Sequence, residues 1–156
     1  MKAIKKLMLS FKYAFDGIAF CITTCRNFRI HIVATVVSLF LAFLCKFSSE
    51  HFAIFAILCA LVLTLEAINT AIEQACDAIT KEHNTYIKNA KNSSAAAVLL
   101  IALSALFIGL LYFIKYNAVK VLAGFLSNPF AVIGVVLFVV IALLFIFYED
   151  VFKNDK

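Results

Sequence analysis

Glu66, Asn69, Glu73 and Asp77 interrupt the otherwise apolar stretch LTLEAINTAIEQACD, and they are the residues of this chain best suited to chemistry. On a helix advancing about 100° per residue, Glu66, Glu73 and Asp77 fall within about 20° of one line, with Asn69 about 60° to the side. The four share one face, and the line from Glu66 to Asp77 runs about 16 Å. An ionised carboxylate at the centre of a bilayer costs about 2.5 to 3.5 kcal/mol, so a stripe of acids there requires a metal, cations or water opposite it. Two acids and an amide, with Lys91 downstream, are the parts of metal-assisted phosphoryl transfer. Plainer roles are open to each residue singly: hydrogen bonds between helices, or solvation of Glu73 and Asp77 at the end of a span. Asp77 reads either as an exposed helix-end acid or as a support for its neighbours. Lys91 also fits a lysine snorkelling at the foot of a span. The chain has no Walker A sequence and no kinase glycine-rich loop, which excludes a soluble-type nucleotide fold.

Lipid must be the solvent for the elements that carry these residues. Of the 156 residues, 65% are hydrophobic and 15% charged, and the mean hydropathy is +1.03, outside the range of soluble globular domains. Residues 4 to 22 place Ile4, Leu7, Met8, Phe11, Phe15, Ile18 and Ile22 at three- and four-residue spacing, away from Lys5, Lys12 and Asp16. This pattern predicts an amphipathic helix lying on the membrane surface, its stripe turned to lipid or to protein. Apolar runs from Ile32 to Phe47, from Phe52 past Glu66, from Ala95 to Ile114 and from Phe130 to Tyr148 predict four spans. The last follows Pro129, the single proline, where a helix can begin.

With the N-terminus inside, only Lys46, Lys115 and Lys120 of the 14 basic residues fall outside, which puts residues 73 to 94 on the cytoplasmic side. The net charge of +5 sits beside apolar spans with no nucleic-acid module around it, so anionic headgroups and nucleotide phosphate are the expected partners and nucleic acid is not. The five cysteines are odd in number, lie mostly in or beside apolar runs and have no CxxC spacing, and are read as reduced. The start of the chain lacks the uninterrupted apolar region of a signal peptide.

In order and spacing, SFKYAFDGI, RNFRIH, LEAINTAIEQACD and AKNSSAAAVLL resemble the prokaryotic diacylglycerol kinases and the similar undecaprenol kinases, over roughly residues 9 to 114. RNFRIH and INTAIE look more like the undecaprenol kinase branch. The resemblance implies homotrimers of three membrane helices plus a surface helix, with active sites shared between subunits. It makes Glu66 the general base for a lipid hydroxyl, Asn69 a positioning group beside it, and Glu73 a ligand of Mg2+. It also makes Lys91 the cation on nucleotide phosphate and Tyr13 a neighbour of ATP, and it puts the loop Glu82, His83, Asn84 where the family contacts ATP. His83 taken alone is a solvated loop histidine. In two places the chain departs from the family: Cys25 stands where a second metal-binding glutamate precedes RNFRIH, and Asn92 replaces the aspartate of AKD. Magnesium prefers oxygen to thiolate, so Cys25 weakens or alters the metal site.

The resulting expectation is an all-α integral membrane protein: an N-terminal amphipathic surface helix and a three-helix kinase core in residues 1–116, with an extra C-terminal fourth transmembrane helix and tail in 117–156. Its expected activity is ATP- and Mg2+-dependent phosphorylation of undecaprenol or diacylglycerol in a bacterial inner membrane, with both termini cytoplasmic. The rival is a relative that has lost turnover, or a small channel lined by Glu66, Asn69 and Glu73.

Overall fold

In a computed structural model, which describes residues 2–79 and 84–147, every regular element among the described residues is an α-helix. These are α1 (Lys2–Thr24), α2 (Arg26–Leu44), α3 (Ser49–Ile79), α4 (Thr85–Lys115), α5 (Ala118–Leu126) and α6 (Pro129–Ile146). Five of them, all but α5, are long and apolar enough to cross a membrane, with hydropathy from 1.2 for α1 to 3.1 for α6. The chain is thus an all-α membrane protein, as its composition predicts. The nine residues of α5 are a difference, because the apolar runs read from the sequence stop at Ile114 and resume at Phe130 with no helix placed between them. No polar/apolar boundary marks this helix, since its residues are nearly all apolar.

Local chemistry explains where the helices break. Cys25 alone separates α1 from α2, in extended backbone (φ −109°, ψ 106°). Lys46 and Asn117 take positive φ, 55° and 52°, and turn the chain between α2 and α3 and between α4 and α5; the left-handed region is one that asparagine enters at small cost. Asn84 caps α4 by accepting hydrogen bonds from the Tyr86 and Ile87 N–H groups. Asn128 accepts from Phe130 N–H at 3.0 Å, and Pro129 fills the first position of α6, where its missing N–H is no loss.

α3 and α4 form an antiparallel hairpin. At one end Phe47 packs on Tyr112, Phe113 and Tyr116. There the Tyr116 hydroxyl also accepts from Ser48 N–H at 2.9 Å and lies 2.8 Å from His51 Nδ1. α2 joins this hairpin, with Ala42, Phe55 and Cys59 buried together. α6 then runs back along α2: Phe125 of α5 meets Phe40 edge-on, while the end of α6 reaches Arg29. Most large apolar side chains stay outward, including Ile4, Leu7, Met8, Phe11, Phe15 and Ile18 of α1. Such a surface suits hydrocarbon or another subunit and does not suit water.

Gly109 sets how closely α3 and α4 approach. A Cβ there would lie 2.8 Å from Phe55 Cε2, and the Phe55 ring, buried against Phe47 and Phe113, has little room to retreat. Gly109→Ala is expected to destabilise the protein by about 1 to 3 kcal/mol through overpacking, partly offset by alanine's helix preference. Nothing lies within 4 Å of a Cβ added at Gly124, so Gly124→Ala should be neutral or stabilising. Unfolding in mixed detergent micelles compares the two, and equal effects would refute the close approach.

Candidate active site

Glu66, Asn69 and Thr70 are buried on the half of α3 remote from the aromatic end. With Glu73 they form one wall of a polar cavity of about 410 Å³. The opposite wall is the junction of α1 and α2, supplying Thr24, Cys25, Arg26, Asn27 and Arg29. Toward the other end of α3, Phe55, Cys59 and Val62 continue the line of Glu66, Asn69 and Glu73 at alternating four- and three-residue spacing. There they line an apolar groove with His31, Ser38 and Gly109. One face of α3 therefore passes from hydrocarbon-like to charged within its own length.

Hydrogen bonds fix most of the polar groups. Asn69 Nδ2 donates to Glu73 Oε1 at 3.2 Å. Ser94 of α4 shares its one hydroxyl proton between Asn69 Oδ1, at 2.6 Å, and the Lys91 carbonyl, at 2.9 Å. The Thr70 hydroxyl donates to Cys25 Sγ at 3.3 Å. Among the described residues no hydrogen bond reaches the Glu66 carboxylate, although Glu66 is only 4% exposed. Its oxygens keep their lone pairs, which a proton acceptor in catalysis requires.

Arg29 is 1% exposed and is the largest fully buried side chain among the described residues. Its Nη1 donates to the carbonyls of Ile22 (2.9 Å) and Thr23 (3.3 Å) at the end of α1, and its Nε donates to Ile146 at the end of α6 (3.1 Å). The last carbonyls of a helix have no partner within it and carry the negative end of its dipole, so two helix ends together compensate a buried cation.

The structure thus gathers Glu66, Asn69, Glu73 and Cys25 around one space. Lys91 lies beside this group, outside the cavity lining, and forms an ion pair with Asp77, which is exposed near the end of α3. Asn92 is exposed, and Tyr13 is 67% exposed on α1; neither lines the cavity. Asn84 is occupied in capping α4. Glu82 and His83 lie outside the described residues. Sequence reasoning assigned no role to Arg29, Thr70 or Ser94, although each stands inside a motif that it quoted. The signal for Thr70 and Ser94 was their spacing: Thr70 follows Asn69 on the polar face, and Ser94 is one turn beyond Lys91. All five cysteines are free thiols. No three His, Cys, Asp or Glu side chains among the described residues converge closely enough to hold an ion by themselves.

A model of the prokaryotic diacylglycerol kinase family matches residues 12–113. The chain is 36% identical over 104 residues to a diacylglycerol kinase of Synechocystis sp., covering 66% of this chain and 59% of that protein. It is 36% identical over 111 residues to an undecaprenol kinase of Bacillus subtilis, covering 71% of this chain and 90% of that protein. A diacylglycerol kinase of Pseudomonas aeruginosa is 30% identical over 94 residues, covering 60% and 76%. No solved structure matches the chain at the same stringency. α5 and α6 lie beyond the family match.

Ser94→Ala would leave the Asn69 carbonyl without its donor in a buried position, at a cost of about 1 to 3 kcal/mol. The Lys91–Asp77 pair is open to solvent, so Asp77→Asn should barely move the unfolding midpoint. Thermal unfolding in mild detergent tests both, and a Ser94→Ala protein as stable as the parent would refute the bridge to Asn69.

Proposed function

The chain belongs to the prokaryotic diacylglycerol kinase family, and from that premise and the acid-lined cavity we propose that it transfers the γ-phosphoryl group of ATP to the hydroxyl of a membrane lipid. The observation that carries this reading is the convergence of Glu66, Asn69 and Glu73 on one cavity. Glu66 accepts the hydroxyl proton as the lipid oxygen bonds to the γ-phosphorus, and the bond from that phosphorus to the bridging oxygen breaks to release ADP. Asn69, held by Ser94 and Glu73, keeps the neighbouring groups in register. Lys91 retains two N–H donors besides the one on Asp77 and neutralises nucleotide phosphate with them. Tyr13 and the loop Glu82, His83, Asn84 border the nucleotide in this reading.

Magnesium fits the donor set in the manner usual for that ion, which keeps waters and needs few protein carboxylates. Glu73 has one carboxylate oxygen outside its bond to Asn69 and would hold the ion together with phosphate oxygens and water. When bound, the ion neutralises charge developing on the transferred group. Cys25 contributes no hard oxygen, and its sulfur accepts from Thr70.

The apolar groove continuing from Glu66 along α3 offers a bed for the hydrocarbon of the lipid, with the hydroxyl at the acid end. Undecaprenol stands ahead of diacylglycerol, supported by RNFRIH and INTAIE and by the 90% of the Bacillus subtilis undecaprenol kinase that the match covers. In the full arrangement α1 lies on the cytoplasmic surface of the inner membrane, both termini are cytoplasmic, and residues 1–116 form the kinase domain, with 117–156 added to it. Three copies assemble with shared sites, because one chain offers too little interior to seal its acids from lipid. A second reading, a relative without turnover, is favoured by Cys25 and Asn92.

Purified protein given labelled ATP, magnesium and either undecaprenol or diacylglycerol is expected to yield a phosphorylated lipid. No product from either, in a folded trimeric sample, would favour the second reading, and activity in a purely monomeric sample would exclude shared sites. Glu66→Gln should lower kcat by about 10²- to 10⁴-fold with ATP affinity nearly unchanged, whereas Lys91→Ala should weaken ATP binding as well. A Glu66→Gln enzyme with most of its kcat would remove Glu66 as the base.

Cys25→Glu restores a carboxylate and should lower the magnesium concentration for half-maximal rate without changing lipid preference. Cys25→Ser should change little. An inactive Cys25→Glu together with a strongly impaired Cys25→Ser would give the thiol a role of its own.

A further inference from the structure

Arg29 is where the C-terminal addition meets the cavity. A guanidinium has five N–H donors in a fixed planar fork. Three of the five are directed at carbonyls: Nη1 at Ile22 and Thr23, and Nε at Ile146. The two on Nη2 have no protein partner among the described residues, yet no buried side-chain nitrogen or oxygen there is left unsatisfied. Nη2 is thus the guanidinium nitrogen left without a partner among the described residues, and the space Arg29 lines is the cavity of Glu66 and Glu73. The ends of α1 and α6 engage Nη1 and Nε, so the orientation of the remaining nitrogen, Nη2, is set by both helix ends. The Ile146 carbonyl is free to accept because it lies in the last turn of α6, which stays helical up to the Phe147 N–H bond to Leu143.

We propose that α6 is a positioning element of the site: its final carbonyl, that of Ile146, orients the Arg29 guanidinium so that the Nη2 edge meets a phosphate oxygen in the cavity. This inference rests on the kinase reading for the identity of the anion. The orientation itself does not, since it follows from three hydrogen bonds made by one buried side chain. A planar fork held at two of its nitrogens can turn only if one of those bonds breaks, so the position of α6 and the aim of Nη2 are one variable. Charge alone is not enough, because an ammonium on a flexible stem cannot hold separated carbonyls and still fix a further N–H donor on phosphate. Arg29 is thus the phosphate-contacting group, and its aim is set by a helix that lies outside the family match.

The test uses the full chain in lipid nanodiscs. Phe147→Pro drives Ile146 out of helical backbone and swings its carbonyl away from Arg29 without altering a cavity side chain. Phe147→Ala leaves that carbonyl in place, and Arg29→Lys keeps the charge but loses the fork. Three readouts are taken: kcat and KM for ATP, the unfolding midpoint, and the rate at which maleimide labels Cys25. Cys25 lines the cavity and is half-buried, whereas the other cysteines are buried. Phe147→Pro and Arg29→Lys are each expected to lower kcat about tenfold or more, as small misplacements of catalytic partners do, and to speed Cys25 labelling several-fold. The double variant should be no worse than either single one, and Phe147→Ala should match the parent. If Phe147→Pro fails to fold, Ala142→Trp takes its place in the same cycle, wedging α6 at its buried residue. Parental kcat and labelling in Phe147→Pro would overturn the proposal, as would losses that multiply in the double variant, which would make α6 independent of Arg29. If the parent protein phosphorylates no lipid, the kinase reading fails, and labelling still decides the clamp: an unchanged Cys25 rate in Phe147→Pro overturns it.

Discussion

Hydrocarbon offers no hydrogen bonds, so each polar group that enters the helical bundle must meet a partner on the protein or face a space that holds water and ions. That requirement fixes how the helices of this chain meet at the acid end. Asn69 is tied within α3 to Glu73 and across to α4 by Ser94. Thr70 ties α3 to Cys25 at the head of α2. Arg29 ties α2 to the ends of α1 and α6. Glu66 is the member of the set whose carboxylate makes no such tie among the described residues, and it faces the cavity. A network that ties its other members to a neighbouring helix or residue and leaves one carboxylate untied holds the scaffold around the group that can exchange a proton.

The opposite end of the hairpin is built from different forces. Phe47, Phe55 and Phe113 pack as a cluster, and Gly109 lets the backbones of α3 and α4 approach there. Small residues at a helix contact substitute for the hydrophobic drive that is missing inside lipid, because they admit close van der Waals packing. The division of labour along α3 has a consequence for function. The helix is anchored by shape at one end and by hydrogen bonds at the other, so the acid-bearing half is held from both sides.

Spans, the Pro129 helix start and the acid face were legible in the sequence because each is written in local spacing or composition. The motifs of the family carried Glu66, Asn69, Glu73 and Cys25 to one region, and the fold brings these four together. What local spacing could not give were partners far apart in the chain. Arg29 and Ile146 are separated by 117 residues, and the acceptor is a backbone carbonyl, which no residue type marks. Ser94 lies among small residues whose pattern says only that a helix can pack closely there. α5 was missed because its sequence is apolar apart from Lys120 and shorter than a span. Asn84 shows a different limit: a residue in the expected nucleotide loop is also a helix cap, and one side-chain oxygen is already engaged by two backbone N–H groups.

Cys25 changes the charge of the cavity as well as its ligands. Arg26 and Arg29 line it together with Glu66 and Glu73, so the formal charges there balance before any ion or nucleotide enters. A glutamate at position 25, which the resemblance implies for other family members, would tip that balance to net negative and create a demand for a further cation. The thiol removes the demand along with the ligand, and Thr70 satisfies the sulfur. In the proposed reaction nucleotide phosphate would bring its own negative charge into this formally neutral cavity, with Arg29 and the nearby Lys91 as the positive groups to receive it. In the proposed reaction the departure at position 25 would shift part of the work of holding phosphate from metal to guanidinium. The guanidinium is the group that the added helix α6 holds in place.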